Sequence, residues 1–132
     1  MTSNTFIGSP DWNAWLAEIK RTRKFFVKAF TPPQVILDEK EALKGILVLH
    51  NDVKATEEVG NTAKKGQVLF WYGDYAPAEI PIKSGIWNAY DVKRNVYLVP
   101  SSKGELFTQA ELDHDPQSTL TRLEALIPTE TV

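Results

Sequence analysis

Two histidines are the first residues to weigh for chemistry: His50 beside Asn51 and Asp52, and His114 between Asp113 and Asp115. A histidine with a carboxylate neighbour can move a proton near neutral pH or hold a metal. These two lie in separate stretches, and neither has the HExxH or HxH spacing that brings two ligands to one face. Asp113-His114-Asp115 reads more simply as the end of one helical turn and the cap of the next helix. Neither a catalytic nor a metal role is assigned to them, and no cofactor is expected.

The segment from Gly60 through Lys64 and Lys65 to Gly66 has the outline of a phosphate loop. Its glycines are misspaced, and no Lys-Ser/Thr follows the second one, so a turn leading into a strand accounts for it better. Ser84, Ser101 and Ser102 sit in turn-like contexts with no histidine nearby in sequence. With no cysteine in the chain, a disulfide framework, a thiol nucleophile and the common zinc sites are excluded.

Aromatic side chains beside carboxylates are the remaining chemical signal. Trp71, Tyr72, Asp74, Tyr75, Trp87 and Tyr90 fall within two strands and the loop between them, and Asp91 follows directly. Tyr and Trp favour interfaces and stacking pockets. Carboxylates at strand ends can add hydrogen bonds to a base or a sugar. The same residues in strands also serve as ordinary core.

The remaining charges give less. Residues 11 to 30 hold five cations, Lys20, Arg21, Arg23, Lys24 and Lys28, against two acids. The carboxy-terminal third is acidic, with Glu105, Glu111, Asp113, Asp115, Glu124 and Glu130 against Lys103 and Arg122. This asymmetry can steer the chain onto a second copy or a charged partner. It can equally be satisfied inside one molecule, helix against helix. A net charge of −2 gives no general pull toward nucleic acid or an anionic membrane.

These residues need elements to hold them. Ser9-Pro10-Asp11 has the form of an N-cap, a proline at the first helical position and an acid in the first turn. Trp12, Trp15, Leu16, Ile19, Phe26 and Phe30 then fall near one stripe, which predicts a helix from about 10 to 30, ended by Thr31-Pro32-Pro33. The run DEKEALKG predicts a short helix stopped by Gly45, ahead of a strand over Ile46 to Leu49. Thr56-Glu57-Glu58 either caps another short helix or belongs to a loop.

Val68 to Tyr72 reads as a strand, and Ala76 to Pro81, with its prolines, as an edge or extended loop. Ile86 to Val92 and Val96 to Val99 read as a hairpin across Lys93-Arg94-Asn95. Glu105 to Thr108 is expected to pair back as a last short strand. Thr108-Gln109-Ala110-Glu111 has the form of a capping box. Asp115-Pro116 then starts a helix whose stripe is Leu120, Leu123, Leu126 and Ile127, closed by Pro128.

A chain of 132 residues fits one domain, with 1–8 and 128–132 expected to be flexible. Its fold class is α+β: a mostly antiparallel sheet of four to five strands, a long amino-terminal helix and a carboxy-terminal helix. The amino terminus has no signal-peptide pattern, and the apolar runs are far shorter than the ~20 residues of a membrane helix. A cytoplasmic protein with no membrane contact is therefore expected.

The stretch VLFWYGDYAP, Val68 to Pro77, raises the structural question. Val68, Phe70 and Tyr72 point one way while Leu69 and Trp71 point the other, so both faces of the strand are apolar. The helices split between the faces, or the sheet curls onto itself, or another molecule closes one face.

The functional reading is a non-catalytic binding module that contacts another protein or a second copy of itself, as an adaptor, regulator, inhibitor or immunity-type protein. Its expected contact region comprises Trp71, Tyr72, Asp74, Tyr75, Trp87 and Tyr90. The alternative is a small-molecule or nucleotide site, or an enzyme, in a cleft around Trp71, Asp74, Tyr75, Trp87 and Asp91. Single-stranded nucleic-acid binding is third, since the strands supply few cations besides Lys83, Lys93 and Arg94.

Overall fold

The structure is a computed structural model and describes residues 5–27, 30, 43–55, 62–72, 86–93 and 95–126, with the backbone alone for Leu43 and Tyr72. Strand β1 (Thr5–Phe6) leads into helix α1 (Pro10–Thr22). The Ser9 side chain accepts from the Trp12 N–H, and Pro10 and Asp11 occupy the first turn, so the helix starts as its sequence dictates. Trp12, Trp15, Leu16 and Ile19 are its buried face.

The helix is shorter than its apolar spacing predicts. Arg23 turns into the left-handed region at φ 61°, with its N–H on the Ile19 carbonyl. The chain beyond is held by tertiary bonds: the Trp15 indole N–H donates to the Phe25 carbonyl at 2.8 Å, and the Phe25 N–H donates to Gln109 Oε1 at 3.0 Å. Phe25, Phe26 and Phe30 thus join the helical side of the core from outside the helix. The expected stop at Thr31-Pro32-Pro33 lies outside the described residues.

Strands β2 (Leu43–Leu49), β5 (Gln67–Tyr72), β6 (Ile86–Tyr90), β7 (Val96–Pro100) and β8 (Gly104–Thr108) form an antiparallel sheet in the order β7-β6-β5-β2-β8, and β1 pairs with β5. Strands β3 (Val53–Lys54) and β4 (Thr62–Ala63) make a separate small ribbon. Helices α2 (Gln109–His114) and α3 (Pro116–Glu124) end the described chain. The Thr108–Glu111 capping box forms in full, and Asp115 caps α3 through the Ser118 N–H. The fold class is α+β.

Three local readings change. Gly45 lies inside β2 and stops no helix: a bulge separates it from Leu43, and a Cβ there would meet the Phe107 carbonyl oxygen at 2.2 Å. Only glycine permits that approach. Strand β6 ends at Tyr90, short of Val92, because the Asp91 carboxylate folds the chain back by accepting from the Lys93 and Asn95 N–H groups. Strand β8 pairs with β2 at the far end of the sheet and not with β7. Of the helix expected over DEKEALKG, Leu43 and Lys44 are strand and 38–42 lie outside the described residues, as do 56–58, the segment 76–81 and the stripe end at Ile127 and Pro128.

The two-sided strands are explained by two cores. On one face Ile46, Val48, Val68, Phe70 and Phe107 meet the apolar stripes of all three helices. On the other, Leu47, Leu49, Leu69, Trp71, Trp87, Ala89, Tyr97, Val99 and Leu106 pack on one another and on Val53 and Ala63. Strands β7 and β8 stand four steps apart in the sheet order, ~19 Å if the sheet were flat. Yet a Cβ on Gly104 of β8 would lie 3.2 Å from Val99 Cγ1 of β7. The sheet curls until its ends approach, and the ribbon bridges to β7 at Ala55–Tyr97. Among the described residues, no helix is long and apolar enough to cross a membrane.

Candidate functional site

The curl decides where the expected site residues go. Trp71 pairs with Ala89 across the sheet and is 3% exposed, while Trp87 pairs with Val99 and is 8% exposed. Both belong to the inner core. Tyr90 points to the opposite face and packs, half-buried, against the helical core. Tyr72 pairs with Leu43 through its backbone, and Asp74 and Tyr75 lie outside the described residues. The structure therefore brings Trp71 and Trp87 together and separates Tyr90 from them.

Asp91, one of the two carboxylates of the expected cleft, is 3% exposed. Its Oδ1 accepts from the Lys93 and Asn95 N–H groups, and its Oδ2 accepts from Asn95 Nδ2 at 2.8 Å and the Tyr97 hydroxyl at 2.9 Å. Burial, and then the bond to this carboxylate, hold the Tyr97 phenol well above its usual range. With four donors satisfied inside the chain, Asp91 is structural and ties the hairpin turn to the inner core.

The other charged candidates are engaged locally. Lys20 of α1 pairs with Glu124 of α3, so the basic and acidic helices meet within one molecule. Asp52 accepts from the Lys65 N–H and lies 3.8 Å from Lys64 Nζ, and Gly66 at φ 85° turns the chain into β5. His50 and His114 are exposed in different elements. Among the described residues, no group of three His, Cys, Asp or Glu is placed to hold a metal.

Two surface features remain. The first is a cleft of about 380 Å³ lined by Trp87 from β6, Ser101 after β7, Gly104, Glu105 and Leu106 from β8, Glu111 from α2 and Arg122 from α3. Arg122 Nη2 donates to Glu105 Oε2 at 3.0 Å and its Nη1 to Glu111 Oε2 at 3.3 Å. The guanidinium also lies 4.7 Å from the centre of the Phe107 ring. His50 Nε2 stands 3.9 Å from Glu105 Oε1, beyond hydrogen-bonding reach.

The second is the outer face of the β6–β7 hairpin. Ile86 pairs with Pro100, Asn88 with Leu98 and Tyr90 with Val96, so these six share the face opposite the inner core. Ile86 is 65% exposed and Leu98 48%, and among the described residues they are the large hydrophobics left in water.

Neither feature was assembled from sequence. Glu111 is visible as the capping-box acid and Glu105 as the start of the last strand, but Arg122 registers only in a charge count. Their meeting depends on β8 pairing with β2, which no local signal encodes. Ile86 and Leu98 are readable as one face once the hairpin register is known. No family model matches the chain, and no curated protein or solved structure shows significant similarity to it.

Proposed function

We propose that this chain is a small cytoplasmic, non-catalytic binding module that contacts another protein through the outer face of the β6–β7 hairpin. The observation that carries this reading is the exposure of Ile86 and Leu98, at 65% and 48%, on one face of neighbouring strands. Fully burying an aliphatic side chain of this size contributes ~1.5–3 kcal/mol, so two such residues with the flanking Val96, Tyr90 and Pro100 form a contact centre. Single exposed apolar residues are ordinary; two on adjacent strands of a rigid hairpin make a patch.

The contact moves away from the aromatics on which the sequence first centres it. Trp71 and Trp87 complete the inner core and offer a partner little ring surface. Of the two carboxylates in the small-molecule alternative, Asp91 is fully engaged in the hairpin turn, and Asp74 lies outside the described residues.

The experiment is site-specific photocrosslinking in the cells that make the protein. Benzoylphenylalanine at position 86 or 98 should give one discrete adduct on illumination, and at exposed Gln117 of α3 it should give none. An adduct of twice the chain mass would make the partner a second copy. Equal labelling at all three positions, or none at 86 and 98, would contradict the proposal.

A further inference from the structure

We draw no further inference here: the strongest candidate, the cleft between Trp87 of β6 and the Glu105, Glu111 and Arg122 cluster of β8, α2 and α3, is an acidic pair that Arg122 already bridges, and nothing among the described residues points to a ligand for it.

Discussion

Asp91 shows how one buried carboxylate can close a hairpin. Its four donors include two backbone amides of the turn and the hydroxyl of Tyr97, a core residue on the strand that returns. Asp91→Ala leaves those donors buried without partners, which costs about 2–4 kcal/mol in urea unfolding when several groups are orphaned. A loss below about 1 kcal/mol would mean that water replaces the carboxylate. Tyr97 adds a pH dependence. Its folded phenol titrates above the ordinary value of about 10, so the unfolded chain ionises first. The resulting stability is complete below pH 10 and is lost as pH rises beyond it. The urea midpoint of the natural chain should therefore fall more steeply from pH 9 to 11 than that of Tyr97→Phe. Parallel falls would show that Tyr97 contributes no such dependence. From sequence, the turn at Lys93-Arg94-Asn95 was legible because its residue types break two apolar runs. The role of Asp91 was not, because a carboxylate beside aromatics looks the same whether its partners are a ligand or its own turn.

Helix α1 marks what a cap signal says and what spacing does not. Its start was legible in Ser9, Pro10 and Asp11, since each satisfies a need of the first turn. Its end was not, because Phe26 and Phe30 continue the apolar spacing while the backbone has already turned at Arg23. The cause is tertiary: the Phe25 carbonyl is the acceptor for the Trp15 indole, and Gln109 holds both Arg23 and Phe25. An arginine in the left-handed region costs about 1 kcal/mol that glycine does not. Arg23→Gly should therefore raise stability by roughly 0.5–1 kcal/mol, and a loss of that size would place the strain elsewhere. Trp15 is the anchor of the element, packed against Trp12, Phe30 and Phe70 and 1% exposed. Trp15→Ala should cost about 3–5 kcal/mol by denaturant melting, and a change under about 1 kcal/mol would contradict its place in the core.

For the whole molecule, the unbroken apolar run VLFWY correctly demanded cover on both faces of the sheet. It did not say which cover, because the pairing of β8 with β2 and the approach of β7 to β8 join residues far apart in the chain. Helices close the central strands of one face and the sheet closes the other face on itself, which consumes the tryptophans and leaves the Ile86 and Leu98 end of the helix-side face in water. The proposed contact depends on that division between inner and outer faces. Its most direct test is paramagnetic relaxation by a neutral gadolinium chelate, read at the Ile and Leu methyls and the Trp indoles of dilute protein. The Ile86 and Leu98 methyls should relax far faster than those of Ile46, Leu47 and Leu69, and the Trp71 indole should be among the slowest. A fast-relaxing Trp71, or Ile86 and Leu98 as protected as the core in the monomer, would contradict it.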